Sequence, residues 1–185
     1  MIAAVLFAAA ACSGDCRAQE QFEAMERRLL RGPIQLEVHS HAEGAVQADA
    51  TADIFIGPAT RVHAQGTFMG QPFARNFDEP TTPALRDAVL IGMARMGALH
   101  NLVNLSQGNP PDHSSGGTRD WLGAVKFRRA KGGVSYALTV DGKETGEVTL
   151  SIDRKTRLPK KRTMTVHFPQ GDMRVTEMYR FPKKR

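Results

Sequence analysis

From Ile34 onward, apolar residues recur at every second position in segment after segment, and this period of two leaves few folds other than a meandering β-sheet. Ile34, Leu36 and Val38 alternate with Gln35, Glu37, His39 and His41. After a turn at Glu43-Gly44, the series Val46, Ala48, Ala50, Ala52, Ile54 and Ile56 runs to Gly57-Pro58. Val62, Ala64, Gly66 and Phe68 form a third segment, and Phe73 to Phe77 open a fourth beyond Gly70-Gln71-Pro72. The pattern resumes over 122–129, 134–140, 144–152, 162–168 and 173–181. Separating these are Lys131-Gly132-Gly133, Asp141-Gly142, a corner from Thr156 to Pro159, and Gln170-Gly171. Some nine hairpin-linked strands are too many for a flat sheet with one wet face, so the sheet is expected to curl.

Two segments break the period. Gln19 to Arg31 places Phe22, Met25 and Leu29 at helical spacing before Gly32-Pro33, which predicts a short amphipathic helix. Thr81-Thr82-Pro83 carries a hydroxyl cap and a first-turn proline, and it starts the longest helical pattern, Ala84 to Leu105. Leu85, Val89, Met93, Met96, Leu99, Leu102 and Val103 cover so much of its circumference that this helix must be buried, lying over the apolar face of the sheet. Ser106 to Arg119 is dense in Gly, Pro and Ser and reads as a loop.

The N-terminal run from Met1 to Cys12 is apolar but too short to span a bilayer of ~30 Å. It reads as the core of an export signal occupying residues 1–18, followed by a single domain over 19–185. Ala9-Ala10-Ala11-Cys12 resembles a lipobox, which makes Cys12 a lipidation candidate. Cleavage after Cys16-Arg17-Ala18 is the alternative. With Cys12 and Cys16 both in this region, no structural disulfide is expected in the body. The formal net charge of +6 favours acidic partners. Lys160, Lys161, Arg162, Lys183, Lys184 and Arg185 are the candidate contacts to an anionic membrane surface. No nucleic-acid-binding motif accompanies the charge.

The stretch Val148-Thr-Leu-Ser-Ile-Asp153-Arg-Lys-Thr156-Arg-Leu158-Pro159-Lys-Lys-Arg162 has an Asp-x-x-Thr-x-Leu-Pro corner between strands, and the last strand ends Tyr179-Arg-Phe181. With the order of elements, this resembles the LolA-like superfamily of periplasmic lipoprotein carriers. The resemblance implies an α+β, mainly β fold: a curved antiparallel sheet forming a half-open barrel, plugged by one central helix, with a short N-terminal helix. It implies a monomeric, exported, non-enzymatic module of the periplasm or of the membrane-anchored envelope that shields acyl chains of lipids or lipoproteins. An anchored structural or interaction protein with no ligand is the alternative. Such carriers hold their lid closed with an arginine inside the barrel. Arg61 and Arg75 lie in the corresponding meander without a motif around them.

Val89, Met93, Met96 and Leu99, with Phe68, are the candidate acyl-chain lining, since thioether side chains repack easily; an ordinary packed core is the competing reading. His39 and His41 share a strand face that Asp49 or Asp53 could approach, but this is the polar face, and no metal site is assigned. His113, Ser114 and Ser115 lack the rigid G-x-S-x-G elbow of a serine nucleophile, so no catalytic residue and no cofactor are expected.

Overall fold

The computed structural model describes residues 14–106, 122, 125–140 and 143–182. The Asp141-Gly142 turn, Cys12, Lys183 to Arg185, and residues 107–119 of the predicted loop lie outside these.

Helix α1 spans Cys16–Leu29, and the Asp15 carboxylate caps it by accepting the backbone N–H groups of Arg17 and Ala18. Ala18, Phe22, Met25 and Leu29 are fully buried along one side, as the spacing of the last three predicts. The helix begins three residues earlier than expected because residues 15–18 have partners of their own. Asp15 N–H donates to Phe127 O at 2.9 Å and its carboxylate pairs with Arg129. Ending a leader after Ala18 would therefore remove the cap. Cys16, in the first turn of this helix, is disulfide-bonded, and the body from Gln19 onward has no cysteine.

Four strands follow: β1 (Ile34–Gly44), β2 (Ala48–Ile56), β3 (Ala59–Phe68) and β4 (Gln71–Pro80). Burial alternates strictly along β2, which is what one covered and one open sheet face require. The turn into β4 is Met69-Gly70, both with positive φ (49° and 76°), a two-residue hairpin geometry that suits the sheet's twist. After the helical segment come β5 (Arg128–Ala130), β6 (Gly133–Val140), β7 (Lys143–Ile152), β8 (Pro159–Phe168) and β9 (Gly171–Arg180). The fifth strand is shorter than the predicted 122–129, of which residues 123 and 124 lie outside the described ones. Phe127, just before it, leaves the pleat to pack on Phe22 and Tyr136, with ring centroids 5.0 and 5.4 Å away.

All nine strands form one open antiparallel sheet in the order β4-β3-β2-β1-β9-β8-β7-β6-β5. Its two meanders join where the first strand pairs with the last, Val38 opposite Tyr179 and Ser40 opposite Glu177. The covered face carries one continuous apolar core, with α1 over β5 and β6 and the later helices over β1 to β4.

The predicted central helix is two helices, α2 (Pro83–Met96) and α3 (Ala98–Ser106). Thr82 caps α2 by accepting Leu85 N–H at 3.1 Å, with Pro83 in the first turn, as the sequence predicts. Gly97, at φ +98° and ψ 157°, breaks the helix. No helix among the described residues is long and apolar enough to cross a membrane.

Candidate functional site

The break at Gly97 is held from the sheet by two charged side chains. Arg162 on β8 and Glu177 on β9 are cross-strand neighbours on the covered face, both with no exposed surface. Arg162 Nη1 donates to Ala94 O (2.9 Å) and Nη2 to Arg95 O (2.7 Å), two carbonyls that the end of α2 leaves without intrahelical partners. Glu177 Oε1 accepts the N–H of Leu99, in the first turn of α3, at 2.8 Å. A cation thus meets the negative end of one helix and an anion the positive end of the next, each the favourable sign. Gly97 sits between them. A Cβ there would lie 2.9 Å from Glu177 Oε1 and 3.3 Å from Arg162 Nε.

The Tyr136 hydroxyl lies 3.0 Å from the Ala94 and Arg95 carbonyl oxygens and accepts from Arg162 Nη1 at 3.0 Å, and the Tyr179 hydroxyl donates to Glu177 Oε2. On the other side of α2's last turn, Arg95 makes a two-pronged pair with Glu26 of α1, at 2.7 and 3.2 Å. Burial still pushes the Glu26 carboxyl above its usual value. Glu26, Arg95, Arg162 and Glu177 are the four buried charged residues among those described, and all of them serve this junction.

Burial also raises both tyrosines, Tyr179 well above 10. These are the protein's two tyrosines. A group raised in the folded state contributes stability below its unfolded value, here about 10, and that contribution is lost as pH climbs toward the folded one. In an alkaline titration, phenolate absorbance should therefore rise only together with loss of the circular-dichroism signal. A tyrosine ionising in intact protein near pH 10 would contradict this burial.

Of the predicted lining, the structure buries Val89, Met93 and Leu99, whereas Met96 and Phe68 are partly exposed at the core's margin. Val89 and Met93 share one small cavity with Ile54, Val62, Ala98, Asn101 and Leu102. Its volume is about 20 Å³, room for one water and no alkyl chain. The two helices are packed onto the sheet.

The chain matches no family model and no curated protein. The Asp-x-x-Thr-x-Leu-Pro corner lies between β7 and β8. In that corner, Asp153 Oδ1 accepts from the backbone N–H groups of Lys155 and Thr156 and from the Thr156 hydroxyl, which holds its carboxyl below the usual range.

The predicted anionic-surface contact at Arg162 is overturned, since this residue is fully buried. Lys160 and Lys161 are exposed as expected. A register shift where Ile152 pairs with Pro159 and Ser151 with Lys161 leaves Lys160 as an extra residue, so both lysines face outward and Arg162 points in. The signal was available: Arg162 is in phase with Met164, Val166 and Phe168. Arg61 and Arg75 are exposed on β3 and β4.

His39 Nε2 and His41 Nδ1 lie 3.2 and 3.0 Å from separate oxygens of Asp49, all three exposed. These contacts hold the Asp49 carboxyl below its usual value, the His41 bond more than the His39 bond. No trio of metal-binding side chains is gathered among the described residues.

Proposed function

We propose that this chain is a non-enzymatic, exported envelope module that binds acyl chains of lipids or lipoproteins. In this reading the structure is its closed form: a half-open barrel whose helical plug is α2 and α3. The observation that carries it is the charged clamp at Gly97. Buried charges add little stability over apolar packing of the same volume, so charged side chains bonded to the two helix ends at a helical break suit a contact that is made and released. Arg162 then takes the part of the lid-holding arginine that the family resemblance implies, from β8 rather than from the first meander. Lys160 and Lys161 remain the contacts to an anionic membrane surface.

The cavity of about 20 Å³ favours a second reading, an anchored interaction protein on the same scaffold with a permanently filled core. Binding of a fluorescent fatty-acyl probe separates the two. The double variant Arg162→Met/Glu177→Leu removes the clamp without leaving a lone buried charge. If closure competes with binding, the probe should bind this variant roughly tenfold more tightly than wild type, the effect of about 1.4 kcal/mol less favourable closure. Absence of saturable binding in both proteins would leave the filled-core reading standing.

A further inference from the structure

A second candidate site lies away from the plug, where the end of α1 meets the start of β1 and β8 and the end of β9. A pocket of about 620 Å³ opens there, within the size range of small-molecule sites. Its apolar part comes from Ile34 and Leu158, both buried, and from Phe55 and Phe181, both half-buried. Its charged part is three cations, Arg28, Lys160 and Arg180, against one acid, Asp153.

These cations are weakly neutralised. Arg28 is half-buried and has no carboxylate partner among the described residues. Lys160 and Arg180 reach Asp153 and Glu37 only at 3.5 Å, with side chains 63% and 81% exposed, where an ion pair contributes little. Asp153 has one oxygen already committed to three hydrogen bonds of the corner. Apolar walls beside weakly compensated guanidinium and ammonium groups select a molecule that is apolar at one end and strongly anionic at the other. Arginine forks match phosphate oxygens, and three cations suit a charge of −1.5 to −2 better than a carboxylate's single charge.

We infer that this pocket binds a single-chain lipid with a phosphate headgroup, the chain against Phe55 and Phe181 and the phosphate among Arg28, Lys160 and Arg180. The site does not depend on the acyl-binding reading of the plug.

Calorimetric titration with decyl phosphate below its micellar concentration tests it. One molecule should bind per chain. Arg28→Gln and, separately, Arg180→Gln should each weaken binding at least tenfold, whereas Arg174→Gln, with the same charge change at an exposed position outside the pocket, should leave it unaltered. Decyl maltoside, decanoate and inorganic phosphate should all bind at least tenfold more weakly. The Arg162→Met/Glu177→Leu variant should show no gain in affinity, because neither helix of the plug lines the pocket. Several results would overturn the assignment: no saturable binding, equal binding of the maltoside or decanoate, equal loss in Arg174→Gln, or unchanged binding in both Arg28→Gln and Arg180→Gln. A gain in the clamp variant would place the probe under the helices and also refute it.

Discussion

Replacing Arg162 by Met is expected to lower stability by about 3–5 kcal/mol, the cost of leaving one buried charge without its compensation. The guanidinium donates to two helix-end carbonyls and faces the Glu177 carboxylate across Gly97, so its loss strands all three at once. The Tyr179 hydroxyl and Leu99 N–H remain on Glu177 but carry no compensating charge. Urea unfolding of wild type, Arg162→Met, Glu177→Leu and the double variant closes the cycle. The double variant should recover only the part of the loss that comes from the lone Glu177 charge, because the Ala94 and Arg95 carbonyls lose the guanidinium and the Leu99 N–H loses the carboxylate. Equal, additive losses in the two single variants would show that the two charges are not coupled and remove the clamp.

Gly97→Ala is expected to cost about 3 kcal/mol, from two sources. At φ +98° and ψ 157° the backbone lies where glycine alone is at ease, a strain of about 1–3 kcal/mol for any other residue. The new methyl would also press on the Glu177 carboxylate at 2.9 Å, in a place where the clamp cannot retreat without breaking its bonds. Gly132→Ala is the control. Its φ is +78°, but nothing lies within 4 Å of its Cβ position, so it should show backbone strain alone, about 1–2 kcal/mol. A Gly97 variant no worse than the Gly132 variant would mean that the junction yields freely and that close approach plays no part.

If both losses appear, the α2–α3 junction is a tightly specified element in an otherwise apolar interface. Melting data on these variants then bear directly on the proposed function, since a cover that opens must break these bonds first.

The sequence alone determined which segments pleat, which coil and where most of them turn. Those properties come from neighbours a few residues apart. Alternation in 34–38 and 48–56 sorts Leu36 from Glu37 and Ile54 from Asp53, and Thr82-Pro83 caps a helix whatever lies above it. Everything that depended on contact between distant segments was decided by the tertiary structure. Residues 15–18 join α1 because Phe127 and Arg129, over a hundred residues later, hold Asp15. The helix from Pro83 breaks at Gly97 because Arg162 and Glu177 meet its broken ends. No helical period announces that break: Met93, Met96 and Leu99 continue the pattern through it. Arg162 sits on the boundary between the two kinds of knowledge. Its phase with Met164 and Val166 pointed inward, while its place after two lysines suggested an exposed basic cluster. One extra residue in β8 sends both lysines outward, and the helix-end carbonyls of α2 give the buried guanidinium its partners.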